Sequence, residues 1–116
     1  MMGLAAPGLV AADELLEMQK NDNNWVMPAG DYANTRYSEL TQITKDNVKD
    51  LNMAWSFSTG VLRGHEGNAL VMDGTMYVHT AFPNIVFALD LNNDGAIKWK
   101  YEPKQNYDET VPVMCC

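Results

Sequence analysis

Four short apolar segments follow one another within residues 69–101, and a polar turn separates each from the next. We predict a strand at each of them, over residues 69–72, 75–80, 85–89 and 96–101. Asp73-Gly74 lies between the first two, and an Asp-Gly pair between apolar runs indicates a hairpin because both residues adopt a positive φ. The sequence therefore predicts an all-β fold built on one antiparallel meander sheet, with the dimensions of a single β-propeller blade.

A single blade leaves edges and faces that further chain has to cover. Upstream of the blade, Trp55 and Phe57 alternate with small or polar residues, which predicts one more strand with an aromatic face. Two short helices are predicted before that strand, one over residues 14–20 with Asp13 as its N-cap and one beginning at Thr44. The chain is thus predicted to contain a blade, an additional strand and short N-terminal helices.

Acidic residues outnumber basic ones, with 15 Asp and Glu against 8 Lys and Arg and a formal net charge of −7. Nucleic acid is therefore excluded as a partner, because phosphate binding needs clustered Lys and Arg. The sequence has no apolar run of about 18 residues, so no membrane-spanning helix is predicted.

Both ends of the sequence are unusual. Residues 1–12 are uncharged, small and apolar, and Val10 and Ala12 match positions −3 and −1 of a secretory cleavage site. We expect residues 1–12 to be the remnant of a secretory signal and residues 13–116 to be a truncated domain. A loose apolar N-terminus is the alternative. The sequence stops on two adjacent cysteines, which also favours a gene fragment.

Cys115-Cys116 is the most unusual pair in the sequence. A disulfide between neighbours closes a small ring with a distorted peptide bond and presents a flat sulfur surface. Export to an oxidising compartment would favour such a bond. From spacing alone, adjacent cysteines also pair with other thiols or stay reduced, so all of these states remain open.

Gly64-His65-Glu66-Gly67 is predicted to be a loop ahead of the sheet. Glycines around a carboxylate let the backbone approach a ligand closely, and loops at strand ends are where binding sites gather. The two interpretations of Glu66 are a ligand contact and a solvated turn. His79 lies within a predicted strand and is therefore predicted to be a core or rim histidine. No metal-ligand spacing links the histidines to the cysteines.

The segment from Asp90 to Gly95 matches the first half of an EF-hand calcium loop. The last position of that loop requires a bidentate Glu and is Tyr101 here, so we predict a β-turn instead. The same segment, with Trp99 following Gly95, resembles the tryptophan-docking repeat of quinoprotein propellers. Ile97, Trp99 and Tyr101 are predicted to share one face of the last strand.

Several segments resemble, in order, the large subunit of pyrroloquinoline quinone (PQQ)-dependent methanol dehydrogenases. They are residues 60–67, 82–84, 88–93 and 98–105 and the terminal pair Cys115-Cys116. The sequences Val-Leu-Arg-Gly-His-Glu-Gly and Tyr-Glu-Pro-Lys-Gln resemble the lanthanide-using XoxF type in particular. The resemblance runs from Asp13 to the last residue.

The resemblance implies the N-terminal part of an eight-bladed quinoprotein propeller in the bacterial periplasm, with the Trp55 strand completing the last blade. It implies PQQ as the cofactor and a lanthanide or calcium ion bound by downstream residues. It also implies methanol or a small primary alcohol as substrate, cytochrome c as electron acceptor, and a homo-oligomer. Glu66 matches the glutamate beside the quinone, and Cys115 and Cys116 match a vicinal disulfide that stacks on PQQ. The catalytic aspartate and the metal ligands lie downstream in that family.

Two other functions stay open at this point. A non-catalytic propeller scaffold would share the docking repeat and would need neither the Glu66 loop nor the cysteine pair. Another quinoprotein, such as an ethanol or glucose dehydrogenase, would share the chemistry, although the glucose type would lose much of the quoted sequence.

Overall fold

The computed structural model describes residues 10–114, with side chains from 14 to 114. In chain order it contains helix α1 (Val10–Met18), a 3-10 helix (Val48–Asp50), strands β1 (Leu70–Met72), β2 (Thr75–His79), β3 (Val86–Asp90) and β4 (Ala96–Tyr101), and helix α2 (Tyr107–Thr110). The strands form one antiparallel sheet in the order β1-β2-β3-β4. The predicted meander is confirmed, and every strand end lies within about one residue of its prediction, which is the usual ambiguity in such boundaries.

Two tight turns fix the register of the sheet. Asp73 and Gly74 have φ of 48° and 69°, as predicted for the hairpin between β1 and β2. Asp94 and Gly95 repeat this geometry before β4, with φ of 48° and 73°. Positive φ at both positions matches the right-handed twist of the flanking strands, so these turns determine which residues face each other across the sheet.

One face of the sheet carries the hydrophobic core. Phe57 meets Phe87 edge to face, with 5.0 Å between ring centroids. The buried members of the core are Ile85, Phe87 and Leu89, and the partly buried side chains packed against them are Trp55, Phe57, Val61, Met76 and Val78. The core therefore forms between β2, β3 and the aromatic segment that precedes the sheet.

That aromatic segment does not form the predicted strand. Trp55 and Phe57 are half-buried while Ser56 and Ser58 are exposed, so the alternation predicted from the sequence is present. No strand among residues 10–114 pairs with this segment, and a strand requires hydrogen bonds to a neighbour. The additional strand is therefore not formed among the described residues, whereas its aromatic face is confirmed.

Helix α1 begins at Val10, upstream of the predicted start, so Asp13 lies inside the helix and does not cap it. The alanines between them are strong helix formers and extend the helix toward the N-terminus. None of the helices among residues 10–114 has the length and apolar character that crossing a membrane requires.

The second helix is a single 3-10 turn that begins at Val48 and not at Thr44. Asn47 Oδ1 accepts a hydrogen bond from the Thr44 N–H at 2.7 Å, and Asn47 Nδ2 donates to the Gln42 carbonyl at 2.8 Å. Such local side-chain bonds offer the backbone an alternative to helical hydrogen bonds, so the helix begins later in the chain, at Val48.

Residues ahead of the sheet cover its first edge. The Trp25 N–H donates to the Val71 carbonyl at 2.7 Å, and the Val71 N–H donates back at 2.9 Å. The Asp73 N–H donates to Asn24 Oδ1 at 3.0 Å, and Val26 is buried beside these bonds. The outer edge of β1 is therefore partly paired, which limits its availability to other strands.

Strand β4 departs from simple alternation. Ala88 pairs with Trp99 and Leu89 with Ile97, so Lys98 is the extra residue of a β-bulge. Ala88 and Leu89 point to opposite faces of the sheet, and their partners do too. The prediction that Ile97 shares a face with Trp99 is therefore wrong.

Strand β4 is also the most open part of the sheet. Ile97, Trp99 and Tyr101 are 54%, 46% and 58% exposed. The radius of gyration is 18.3 Å, whereas a compact domain of similar length has about 13 Å. The described residues thus leave apolar surface uncovered on both faces of the sheet at β4.

Candidate functional site

The loop that carries Glu66 and the loop that follows β2 enclose an open cavity of about 410 Å³. Strand β1 begins and β2 ends at the same end of their antiparallel pair, so the chain entering one and leaving the other meet there. The residues lining this cavity, named here the Glu66 cleft, are Pro28, Gly64, Glu66, Gly67, Asn68, His79, Thr80, Ala81, Phe82 and Asn84.

Glu66 supplies the carboxylate of the cleft. Its side chain is exposed, and no ion pair or side-chain hydrogen bond among residues 14–114 involves it. An ionised carboxylate is an acceptor only. Glu66 therefore offers unengaged oxygens to a ligand that brings a hydrogen-bond donor.

Gly67 allows His79 to lie directly against the backbone of the cleft. A β-carbon at residue 67 would stand 2.3 Å from His79 Cε1 and 2.4 Å from Nε2, whereas one at Gly64 would meet nothing within 4 Å. His79 is the exposed last residue of β2, and its ring centroid lies 6.3 Å from that of His65. The rim position predicted as one option for His79 is confirmed, and of the two glycines only Gly67 is required by a close contact.

Thr80 holds the loop on the other side of the cleft and is a residue that the sequence analysis missed. Its side chain is almost fully buried, with 1% exposed. The hydroxyl Oγ1 donates to the Ala81 carbonyl at 2.6 Å and accepts from the Ile85 N–H at 3.0 Å. A threonine at the end of a strand before a Pro-Asn turn is the available sequence signal, since such hydroxyls bond their own turn.

The chain after β4 returns to the same loop. Gln105 Nε2 donates to the Pro83 carbonyl at 2.6 Å. Tyr107, the first residue of α2, packs edge to face on Phe82 with 5.0 Å between ring centroids. Phe82 thus joins the wall of the Glu66 cleft to the C-terminal segment.

Beyond α2 the backbone is held by a further turn. The Met114 N–H donates to the Thr110 carbonyl at 3.0 Å. Cys115 and Cys116, the other predicted site residues, lie outside the described residues. The described chain therefore reaches the residue immediately before the cysteine pair.

The Asp90–Gly95 segment is a hydrogen-bonded turn between β3 and β4, as predicted. Asp90 Oδ1 accepts the Asn92 N–H at 3.0 Å, and the Asp90 carbonyl accepts the Gly95 N–H at 2.9 Å. Within the part of the chain that the structure describes, no group of three or more His, Cys, Asp and Glu side chains is arranged to hold a metal ion.

A second cavity, of about 430 Å³, shares no lining residue with the Glu66 cleft. Asp31 Oδ2 accepts from Thr35 Oγ1 at 2.6 Å, and Asp31 Oδ1 accepts from the Thr35 N–H at 2.9 Å. The hydrogen bond from the Thr35 hydroxyl contributes most to lowering the pKa of Asp31 below its ordinary value, and the bond from the Thr35 N–H adds to this effect. Asp22 Oδ2 accepts from Ser38 Oγ and from the Glu39 N–H. Both aspartates of this cavity thus bond the chain itself, which gives them a structural role.

The family model for the glucose/ethanol/alcohol dehydrogenase β-propeller domain, designated PQQ, matches residues 25–116. The lanthanide-dependent methanol dehydrogenase of Methylorubrum extorquens is 57% identical over 115 residues, which are 98% of this chain and 19% of that protein. Subunit 1 of the methanol dehydrogenase [cytochrome c] of Methylobacterium organophilum is 53% identical over 120 residues, covering 100% of this chain and 19% of that protein. The chain therefore spans about a fifth of the length of these curated relatives.

The same similarity holds in three dimensions. A solved europium-containing methanol dehydrogenase superposes with a TM-score of 0.81 and 58% sequence identity, covering 90% of this chain and 18% of that one. The quinohemoprotein alcohol dehydrogenase of Comamonas testosteroni superposes with a TM-score of 0.72 and 38% identity, covering 83% of this chain. The fold of the described chain, with its four-stranded sheet, is thus similar to part of each of these two solved enzymes.

Proposed function

The chain belongs to the PQQ-dependent glucose/ethanol/alcohol dehydrogenase family of β-propellers, and from that membership we propose that it forms the first part of a methanol-oxidising quinoprotein subunit. The resemblance predicted from the sequence is confirmed by relatives that match over the whole chain. In this proposal residues 13–116 form the N-terminal portion of the propeller and residues 1–12 are the remnant of a secretory signal. The Trp55 segment completes the last blade, and the uncovered faces of β4 pack on neighbouring chain of the same subunit.

One observation carries the proposal: Glu66 lies on an open cleft with no partner among the described residues for its carboxylate. This arrangement fits PQQ, because the pyrrole N–H of that cofactor is a donor and an ionised carboxylate only accepts. Gly67 and His79, which lie in close contact, line the same cleft beside the carboxylate. We therefore assign Glu66 as a cofactor-binding residue.

Cys115 and Cys116 complete the proposed cofactor contacts. The segment before them is docked on Phe82, which lines the same cleft as Glu66. A disulfide between neighbouring cysteines would present a flat sulfur face, and such a face suits stacking on a planar ring system. The described residues support this assignment only up to Met114, so it rests on the family resemblance beyond that point.

When bound, PQQ supplies the oxidising power that converts an alcohol to an aldehyde, with a metal ion acting as Lewis acid. The residues of this chain bind and orient the cofactor: Glu66 accepts a hydrogen bond at its edge, and the cysteine pair covers one face. The catalytic aspartate and the ligands of the lanthanide or calcium ion are assigned to the remainder of the subunit. Small primary alcohols are the proposed substrates, and a periplasmic cytochrome c receives the electrons from a homo-oligomeric enzyme.

Reconstitution of the full-length subunit tests this function. The protein is purified without cofactor and assayed for dye reduction with methanol, ethanol or glucose, with and without PQQ and either lanthanum or calcium ions. We expect reduction with methanol that requires both PQQ and a metal ion. A preference for glucose would indicate a different quinoprotein, and failure with all three substrates would favour a non-catalytic scaffold and overturn the proposal.

A further inference from the structure

Two polar side chains on the second wall of the Glu66 cleft differ in their hydrogen bonding. The Thr80 hydroxyl is engaged within its own loop, since it donates to the Ala81 carbonyl and accepts the Ile85 N–H. Asn84 lines the same cleft and is exposed, and its side-chain amide has no hydrogen-bond partner in the part of the chain whose side chains the structure describes. Both the donor and the acceptor of this amide are therefore open to a ligand in the cleft.

The loop that carries Asn84 is held in place by hydrogen bonds. The Thr80 N–H donates to the Ile85 carbonyl at 2.8 Å, and the Ile85 N–H donates back to the Thr80 hydroxyl at 3.0 Å, so the two ends of the loop are joined. Gln105 Nε2 donates to the Pro83 carbonyl at 2.6 Å, immediately before Asn84. The backbone of Asn84 is thus fixed without a ligand, and little further ordering is needed for its side chain to bind one.

The conformation of Asn84 itself separates two roles for this residue. Its φ is 61°, a left-handed value that asparagine adopts more readily than most residues, and its N–H donates to the Ala81 carbonyl at 2.9 Å. Glycine would serve this backbone at least as well. Replacement by glycine therefore removes the amide and keeps the turn.

The other polar groups of the cleft are less suited to donate to a ligand. Asn68 lies on the wall of Glu66, where residues 62–68 make no hydrogen bond to any other residue that the structure describes. The imidazole of His79 lies against the Gly67 backbone. Asn84 is therefore the amide of the cleft whose position is fixed by its surroundings.

The cofactor proposed for this cleft needs donors as well as an acceptor. PQQ carries carboxylate and quinone oxygens, which accept hydrogen bonds, whereas the ionised Glu66 only accepts and repels other carboxylates. Among the described residues, no lysine or arginine lines the cleft. A neutral amide supplies two N–H donors without adding charge, so Asn84 matches the part of the cofactor that Glu66 cannot bind.

We propose that Asn84 is a second cofactor-binding residue, whose side-chain amide donates a hydrogen bond to an oxygen of PQQ from the wall across the cleft from Glu66. This inference rests on the proposed function, in which PQQ occupies the Glu66 cleft. Glu66 accepts a hydrogen bond from the cofactor, and Asn84 donates one to it. Because the two residues differ in hydrogen-bonding character, together they orient the cofactor as well as hold it.

Equilibrium binding of PQQ to the cofactor-free full-length subunit, followed by absorbance, tests this assignment. Asn84→Gly should bind PQQ roughly two- to tenfold more weakly, in line with the loss of one hydrogen bond, and should keep the melting temperature of the parent. Asn34→Gly is the matched control, because Asn34 is exposed, has a φ of 57° and does not line the cleft. It should bind PQQ as the parent does. Equal weakening by the two glycine variants would overturn the inference.

A second variant, Asn84→Asp, keeps the size of the side chain but replaces the donor with a charged acceptor. We expect it to bind PQQ more weakly than Asn84→Gly does, because it also repels the carboxylates of the cofactor. Parent-like affinity in Asn84→Asp would overturn the inference. Parent-like affinity in Asn84→Gly would overturn it too, even beside weak binding by Asn84→Asp, because the added charge alone would then explain the loss.

Glu66→Gln, measured in the same assay, separates failure of this inference from failure of the proposed function. If Glu66→Gln weakens PQQ binding and Asn84→Gly does not, the cofactor site stands and Asn84 serves only the turn. If neither variant changes the affinity, PQQ does not bind in this cleft and both proposals are wrong. Weakening by both variants, with Asn34→Gly unchanged, is the result that we expect.

Discussion

The indole ring of Trp55 packs on the α-carbon of Gly95, so closely that a β-carbon at residue 95 would lie 2.7 Å from Trp55 Cζ3. This contact joins the turn before β4 to the aromatic segment ahead of the sheet. Gly95 also has a φ of 73°, so two separate reasons require glycine there.

Gly60 offers a matched control for this contact. It has the same φ of 73°, but a β-carbon there would meet nothing within 4 Å. We expect Gly60→Ala to cost about 1 kcal/mol for the backbone conformation alone. Gly95→Ala should cost roughly 1–3 kcal/mol more, because the Trp55 ring has to move. Thermal unfolding of both full-length variants measures the difference in stability. Equal decreases in melting temperature would show that the Trp55 contact is not tight.

A second prediction concerns the rim of the Glu66 cleft. Gly67→Ala places a methyl group where the imidazole of His79 lies, so the ring must swing away from its present position. We expect weaker PQQ binding by the full-length variant, because the displaced imidazole lies among the residues that line the cleft.

The double variant Gly67→Ala/His79→Ala is the control, since it removes the clashing ring. Binding should return to that of His79→Ala alone. If the double variant binds as poorly as Gly67→Ala, the methyl group itself obstructs the cleft and the His79 contact is not the cause.

The cysteine pair yields a third prediction. We expect a disulfide between Cys115 and Cys116 in the full-length enzyme, because the pair matches the vicinal disulfide of the family that the sequence resembles and the proposed export would place it under oxidising conditions. Mass spectrometry without reduction should find two hydrogens fewer in the peptide that contains both. Two alkylatable thiols in active enzyme would contradict the ring. Since so short a loop constrains little of the unfolded chain, reduction should impair activity more than the melting temperature.

Asp31 provides a prediction about pH. Its pKa is lowered chiefly by the hydroxyl of Thr35, so the carboxylate form is favoured in the folded protein. Because the folded pKa lies below the unfolded one, the stabilisation is fully present above the ordinary pKa and is lost as the pH falls through the lowered value. Thr35→Val should raise the pKa of Asp31 toward its ordinary value. NMR titration of the labelled carboxyl carbon measures this, and an unchanged pKa would show that the hydroxyl bond is not the cause.

The sheet could be predicted from the sequence because its signals are local. Asp73-Gly74 adopts the positive φ of the hairpin that the pair indicates. The bulge at Lys98 was not predictable, because it depends on how β4 pairs with β3 and the sequence of β4 contains no local signal for it. At the Trp55 segment the local pattern was predicted correctly, since aromatic and exposed residues alternate there. The strand itself depends on a hydrogen-bonding partner, which the described residues do not supply.

The candidate site also has one part that could be predicted from the sequence and one part that could not. Glu66 was recognisable because a carboxylate among glycines stands in a sequence that resembles a known family. Phe82 and Tyr107 matter through a contact across the fold, since they lie 25 positions apart in the chain. Sequence spacing carries no information on such pairs, so the loop that holds the cleft together emerges only from the structure.

The assignment of Glu66 to the cofactor is tested most directly by the affinity of the cofactor-free full-length subunit for PQQ. Glu102→Gln is the control, because Glu102 is an exposed carboxylate paired with Lys100 at 2.8 Å and does not line the cleft. Glu66→Gln should retain the fold and weaken binding by about 1.5–3 kcal/mol, the worth of a hydrogen bond to a charged group. Glu102→Gln should bind PQQ as the parent does. Equal affinities of the two variants for PQQ would contradict the assignment and favour the other interpretation of Glu66, a residue of a solvated turn.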